Sequence, residues 1–281
     1  MLALGTRKGL THGALQTIIG FNPTFNITFD ASWTGGQTAS VLTPALNAAT
    51  AFLSSIIFLP KPLTFQIKLA YVNISGSVAT SSRVYFTYTI NYANFLIAYQ
   101  KNITTANAQT AFNNFPATSP FTGAYSWSPC NSICRLFGVK PNSDTTIDGS
   151  ITFDSSASFF FGTPVGGAYD ALGISLHEAT EVLGRVCHAP DTNAQAGPWD
   201  MFRMTGPGAY IPTVTYGGFF SIDGGNTLGR AFNTAGSPTD LGDWKTGVDN
   251  DCCNYTGPTN TILPFSSIDR EMLDVMGYSA A

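Results

Sequence analysis

The chain has 281 residues, enough for one large domain or two small ones with a sizeable buried core. Only 11% of the residues are charged, against about 25% in an average soluble domain, and the net charge is -4. No basic run occurs, which argues against nucleic acid as a partner. No apolar run approaches the ~18–20 residues that cross a bilayer, so no membrane span is predicted.

Helical and strand patterns alternate along the first part of the chain. The elements predicted there are, in chain order, a strand at 25–33, a helix at 42–59, strands at 63–72 and 85–92, short helices at 93–99 and 106–112, and strands at 148–153 and 157–161. A helix follows at 170–185. Gly, Pro and Asn then dominate, apart from a strand entering a tight turn at 219–225 and a helix at 267–276 that ends at Gly277.

No sharp change of composition divides the chain, so one α+β domain over residues 1–281 is predicted. Its parts are an N-terminal extension (1–21), a sheet and helix part that ends in the 170–185 helix (22–185), and a loop-rich C-terminal part (186–281).

The helix at 170–185 carries the sequence His177-Glu178-Ala179-Thr180-Glu181, which is the zinc-protease pattern H-E-x-x-H with glutamate in the last place. Residues four apart share one helical face, so His177 and Glu181 can reach one ion. Glu178 stands where such sites keep the general base. The competing interpretation is a surface helix whose polar residues are only solvated.

A hydrolytic zinc site needs a third protein ligand and one open position. Gly184 lies seven residues after His177, where a glycine allows a sharp turn toward that ligand. Three residues later comes Cys187, followed at once by His188 and then by Asp191. His188 has the most suitable chemistry and is the predicted ligand, with Cys187 and Asp191 as alternatives.

Three acidic loops elsewhere are assigned structural roles. Residues 223–226 and 249–251 offer oxygens for Ca²⁺ but lack a spaced calcium-loop pattern, so Ca²⁺ binding is not supported. The third loop holds Asp240, Asp243 and Trp244 and has no catalytic spacing.

The cysteines and glycosylation sequons favour an extracellular, secreted protein. One or two disulfides are predicted: Cys130 could bridge locally to Cys134, and Cys252 or Cys253 could bridge to Cys187. The sequence leaves the connectivity open, and one thiol remains over. The cysteines are Cys130, Cys134, Cys187, Cys252 and Cys253. The sequons, which predict a glycoprotein, begin at Asn26, Asn73, Asn102 and Asn254.

The chain resembles a family of secreted, largely uncharacterised bacterial metalloprotease-like proteins that carry H-E-x-x-H or H-E-x-x-E before a glycine. The resemblance is carried, in order, by residues 25–30, 148–156, 177–185, 199–203, 220–225 and 269–278. It implies a metzincin-like zincin fold, in which a twisted mixed sheet and the motif helix are closed by a loop-rich C-terminal part. It also implies that Met276 lies beneath the metal.

The predicted function is that of a zinc-dependent endopeptidase acting on a protein or peptide. His177, Glu181 and His188 would hold Zn²⁺, and Glu178 would activate water. The alternative is a catalytically weak or inactive protein of zincin fold that self-associates outside the cell, in keeping with its 21 Phe, 11 Tyr and 4 Trp residues.

Overall fold

The computed structural model describes residues 20–84, 91–121, 126–127, 129–187, 195–211, 217–234 and 241–280. The helices in this part of the chain are α1 (Thr43–Ile56), α2 (Tyr92–Gln100), α3 (Ala106–Asn114), α4 (Asn131–Leu136), α5 (Ala171–Val182) and α6 (Ser267–Leu273). The strands are β1 (Thr24–Phe29), β2 (Thr64–Val72), β3 (Ala79–Arg83), β4 (Ser126–Trp127), β5 (Gly149–Asp154), β6 (Phe159–Phe160), β7 (Tyr169–Asp170), β8 (Gln195–Ala196), β9 (Arg203–Gly206), β10 (Ala209–Tyr210) and β11 (Phe219–Phe220).

The largest sheet has four strands in the order β1-β2-β5-β3. Strands β1, β2 and β5 run parallel, and β3 pairs antiparallel with β5 at one edge. Phe65, Ile67 and Leu69 of β2 are two residues apart and all buried, as expected for side chains on one sheet face. This mixed sheet with several helices confirms the predicted α+β class.

Helices α1 and α5 pack against each other beside the sheet. Ala45, Ala49 and Leu53 recur along one face of α1 and are fully buried. A π-helical turn precedes α1, so that helical structure runs unbroken over Thr38–Ile56, 19 residues in all. By length and composition alone this segment could cross a membrane, but a buried core helix meets the same criteria, and α1 packs against α5.

Most elements predicted from periodicity are present, with ends that shift by a few residues. Strands β3, β4, β7, β8, β9 and β10 and helix α4 were not predicted. Strand β3 reads Ala-Thr-Ser-Ser-Arg and has no alternating apolar residues to reveal it. Of the strand predicted at 85–92, residues 85–90 lie outside the described part, and Tyr92 begins α2 instead.

All five cysteines are described, and none forms a disulfide. The thiol of Cys130 points to the carbonyl oxygen of Val182, 3.9 Å away, whereas that of Cys134 faces the carbonyl of Pro129 at 3.7 Å. The two sulfur atoms therefore have separate partners, and the predicted local bridge is absent. The predicted bridge from Cys187 to the C-terminal part is absent as well.

Two of the four predicted glycosylation sites are buried. The amide nitrogen of Asn102 donates to the carbonyl of Ala98 at 2.8 Å, and that of Asn254 donates to the carbonyl of Asp249 at 2.8 Å. A glycan on either nitrogen would break its hydrogen bond and displace the packed chain. The sequons at Asn26 and Asn73 are exposed, so the glycoprotein prediction now concerns these two.

Candidate metal centre

The ends of α5 are fixed by its sequence. Asp170 caps the N-terminus, its carboxylate accepting from the backbone N–H of Leu172 at 3.1 Å. At the other end Gly184 has φ +111°, a conformation that favours glycine. The N–H groups of Gly184 and Arg185 donate to the carbonyls of Glu181 and Thr180, the bonds of a Schellman motif. The predicted sharp turn at Gly184 is therefore present.

This turn sends the side chain of Arg185 back over α5, where it is completely buried. Its Nε donates to the hydroxyl of Thr180 at 3.0 Å, and its Nη2 donates to the backbone carbonyl of His177 at 3.2 Å. Its Nη1 donates to Oδ1 of Asp243. Arg185 thus ties the helix to the loop that carries Asp243.

His177 is oriented by the C-terminal part of the chain. Its Nδ1 lies 2.7 Å from the backbone carbonyl oxygen of Cys252. Because a carbonyl only accepts, Nδ1 must carry the proton and donate. Nε2 then faces Glu181 and Asp243 and, in the neutral ring, offers its lone pair to them or to a cation. Metal-binding histidines commonly have this second hydrogen bond.

Glu181 is held from the edge strand of the sheet. Its Oε2 accepts from the hydroxyl of Ser81 at 2.5 Å and lies 3.8 Å from Nη1 of Arg83. Both partners belong to β3, which sequence analysis missed. The other oxygen, Oε1, remains directed at Nε2 of His177 and at Nη2 of Arg185, each 3.7 Å away.

The third member of the cluster is Asp243, to which the sequence analysis assigned only a structural role. Its Oδ1 lies 3.5 Å from Nε2 of His177 although 66 positions separate the two residues in the chain. The backbone on both sides is hydrogen-bonded, with the carbonyl of Asp243 accepting from Asn233 at 2.8 Å and the N–H of Trp244 donating to Cys253 at 2.9 Å. No spacing rule links this loop to the helix, so no sequence pattern could predict that Asp243 lies beside His177.

The three ligand atoms of His177, Glu181 and Asp243 lie within 4.8 Å of one another. The distances from Nε2 of His177, 3.5 Å to Asp243 and 3.7 Å to Glu181, are long for hydrogen bonds. Atoms about 2.1 Å from a tetrahedral Zn²⁺ lie about 3.4 Å apart, close to these values. One imidazole and two carboxylates are also ligand types that zinc accepts. The donor set therefore fits Zn²⁺.

Glu178 stands beside this cluster with an unused oxygen. The side chain is buried, and its Oε2 has no hydrogen-bond partner among the described residues. Burial, together with the negative charge of Glu181, raises the pKa of Glu178. A buried carboxylate without a donor is unfavourable for folding alone, which points to a role outside stability.

The charges of the cluster favour a positive group at its centre. Burial, the largest single effect, disfavours the imidazolium form, but Asp243 and Glu181 together outweigh it and raise the pKa of His177. Burial also opposes ionisation of Glu181, but its contacts with His177 and Arg185 lower its pKa. The same field that favours a proton on His177 would favour a metal cation in its place.

The other sequence-predicted ligands are not among these three. His188, the predicted third ligand, and the alternative Asp191 lie outside the described residues. Cys187 is described, and its buried thiol faces Arg203 and Asp200. The prediction of Cys187 as an alternative third ligand is therefore wrong. Burial also raises the pKa of Cys187 above the usual range, which disfavours a thiolate ligand.

Met276 is fully buried next to the turn that ends α5. Its terminal methyl group would lie 3.3 Å from a Cβ added at Gly184. The hydroxyl of Tyr278 donates to the carbonyl of Leu183 at 2.6 Å, which fixes the C-terminal segment to the same turn. The segment carrying Met276 thus supports the end of the motif helix.

Comparison of the chain with protein-family models, with curated proteins and with solved structures finds no match.

Proposed function

We propose that the chain is a zinc-dependent endopeptidase-like hydrolase in which His177, Glu181 and Asp243 hold the metal. The observation that carries this proposal is the convergence of three ligand atoms from the motif helix and from the loop of Asp243, with both distances from Nε2 of His177 suited to tetrahedral zinc. A working site of this kind keeps a fourth position open for water or substrate. His188 stays a candidate ligand, since its position is not described.

Each residue has a role that follows from its chemistry. When bound, Zn²⁺ supplies a Lewis acid that polarises a peptide carbonyl and acidifies a water molecule. Glu178, with its unpaired buried oxygen, accepts the proton of the attacking water and delivers it to the departing amine. The carbonyl of Cys252 holds His177 in the tautomer that presents Nε2. Ser81 and Arg83 hold Oε2 of Glu181, which leaves Oε1 as the oxygen that would bind a metal.

The position of β3 favours an extended substrate. It is the outer strand of the described sheet, and two of its side chains contact Glu181. A peptide can add to such an edge through main-chain hydrogen bonds, which would bring its carbonyl groups past the cluster. We also propose a metzincin-like zincin fold with Met276 beneath the metal, which the mixed sheet and the packing of Met276 at the turn after α5 support. Secretion stays a prediction from the sequence.

The decisive test is the substitution Glu178→Gln. It keeps size and polarity but removes the base, so casein cleavage should fall at least about 100-fold while zinc stays bound. Glu271→Gln on α6 is the matched control, because Glu271 lies outside the cluster, and it should keep full activity. Unchanged cleavage in the Glu178 variant, or wild-type protein without zinc or activity, would refute the proposal.

One observation favours the alternative of an inactive, self-associating zincin-fold protein. Arg185 and Arg83 already balance the charges of Glu181 and Asp243 without a metal. This alternative predicts concentration-dependent oligomers in light scattering, which Glu178→Gln leaves unchanged, and no zinc in protein purified without chelators. A zinc-bearing protein that remains monomeric at high concentration would exclude it.

A further inference from the structure

A second group of metal-ligand side chains lies behind the first. Asp251, Cys252 and Cys253 are consecutive in one loop, and Asp269 joins them from α6. All four are at most 2% exposed. One ligand atom from each lies within 4.8 Å of those of the other three. Two thiols and two carboxylates with no access to solvent have the composition of a closed structural metal site.

The distance between the sulfur atoms of Cys252 and Cys253 matches that between two ligands of one tetrahedral metal ion. The sulfur atoms of Cys252 and Cys253 are 3.7 Å apart, much longer than a disulfide bond. Two sulfur atoms each about 2.3 Å from a tetrahedral Zn²⁺ lie about 3.8 Å apart. Apart from Cys253, the sulfur of Cys252 has no hydrogen-bond partner among the described atoms. Its lone pairs are therefore available to a cation.

The carboxylates are oriented as ligands usually are. Asp251 accepts from the N–H of Cys253 at 2.8 Å and from Nη1 of Arg230 at 2.9 Å. Asp269 accepts from the indole N–H of Trp244 at 2.7 Å and from the N–H of Ser266 at 2.7 Å. Oδ2 of Asp269 also accepts from the hydroxyl of Ser266 at 2.9 Å, whereas Oδ1 of Asp269 and both oxygens of Asp251 retain a further lone pair. Such outer hydrogen bonds fix a ligand in place.

The charges of Asp251 and Asp269 also favour a cation between them. Arg230 faces Asp251, but the hydrogen-bond donors to Asp269 are the neutral groups of Trp244 and Ser266. A buried carboxylate with only neutral donors, set beside a second carboxylate, is costly unless a positive charge lies between them. Two adjacent thiols can supply the remaining ligands of a zinc ion by losing their protons.

We propose that Asp251, Cys252, Cys253 and Asp269 form a structural Zn²⁺ site. Binding makes two Zn–S and two Zn–O contacts and releases two protons from the thiols. This site would also stiffen the loop whose Cys252 carbonyl orients His177, although it does not depend on the proposed hydrolysis. The metal would be the substitute for the disulfides that sequence analysis predicted in this region.

Cobalt titration of the zinc-depleted protein distinguishes the two sites. Co²⁺ bound by thiolates has an intense near-ultraviolet charge-transfer band, whereas Co²⁺ bound by imidazole and carboxylates does not. Wild type and His177→Ala should both show the band, and the double variant Cys252→Ser/Cys253→Ser should lose it. Cys187→Ser, a buried thiol outside the cluster, is the matched control and should keep it. A wild-type protein without the band, or a double variant that retains it, would overturn the proposal.

A second measurement needs no variant and covers the case in which the double substitution does not fold. X-ray absorption of zinc-loaded wild type should show an average of one sulfur per zinc at about 2.3 Å if both sites are filled, or two if only this site is filled. A zinc environment with oxygen and nitrogen alone would overturn the structural site and leave the hydrolytic one standing. Loss of cleavage in Glu178→Gln tests the hydrolytic site separately.

Discussion

The substitution Gly184→Ala tests whether the turn after α5 builds the site. With φ at +111°, alanine would be strained by about 1–2 kcal/mol. Its Cβ would also lie 2.7 Å from Cγ1 of Ile133 and 3.3 Å from the methyl group of Met276, contacts too short to keep. Overpacking of a buried site costs about 1–3 kcal/mol. The free energy of unfolding should therefore fall by about 2–5 kcal/mol.

Gly76→Ala is the matched control for backbone strain. Gly76 has φ +88°, yet a Cβ there would meet nothing within 4 Å. Urea unfolding should show a loss of only about 1–2 kcal/mol for this variant. Zinc affinity should fall in the Gly184 variant alone, because the turn also positions Arg185. Equal destabilisation by the two substitutions would mean that the contacts with Ile133 and Met276 are not tightly packed, and the reasoning would fail.

Two further substitutions test individual carboxylates. Asp243→Asn should weaken zinc binding at least about tenfold by calorimetry. It should also lower the free energy of unfolding by about 3–5 kcal/mol, because buried Arg185 loses the counter-charge of Asp243. Unchanged zinc affinity would show that Asp243 is not a ligand. Burial, opposed by Thr105 and reinforced by the charge of Glu271, raises the pKa of Asp274 to about 6, so wild type should lose stability as the pH rises from about 4 through 6. Asp274→Asn should remove the part of this loss that Asp274 causes and exceed wild type by about 2–3 kcal/mol at pH 8, converging with it near pH 4. Asp269, whose pKa burial also raises to about 6, keeps its own part of the loss in both proteins. A constant difference between the two in urea unfolding across this range would contradict the assignment.

Local periodicity was sufficient to predict every described α-helix except α4, together with the central strands. The faces of α1 and β2 follow the spacing of their apolar residues, and the motif helix ends at Gly184 because only glycine readily adopts its φ. Strand β3 could not be predicted in this way. Its polar residues are held at the sheet edge by hydrogen bonds with β5, which depend on the tertiary arrangement.

The sequence likewise predicts some residues of the candidate site and not others. The proximity of His177 and Glu181 follows from one helical turn, so the sequence predicted it. Asp243 and Ser81 belong to segments that lie near the motif helix only because of the whole fold. No short sequence pattern predicts their contacts with His177 and Glu181. A third ligand just after Gly184 would require the chain to return at once to the metal. Cys187 instead faces Arg203 and Asp200.

The arginines next to the ligands offer a final test that separates a working site from an inactive one. Arg83 lies 3.8 Å from Oε2 of Glu181, so its positive charge opposes a metal cation but would stabilise the negative charge that develops on a peptide carbonyl under attack. Arg83→Met should therefore raise zinc affinity at least tenfold, or about 1.4 kcal/mol, and lower kcat. Ser81 would still hold Glu181 in place, which keeps the geometry comparable. If the Arg83→Met variant binds zinc more tightly but the wild-type protein has no activity, Arg83 serves only to balance charge and the inactive alternative holds. If the zinc affinity of the variant does not rise, Glu181 is not a ligand.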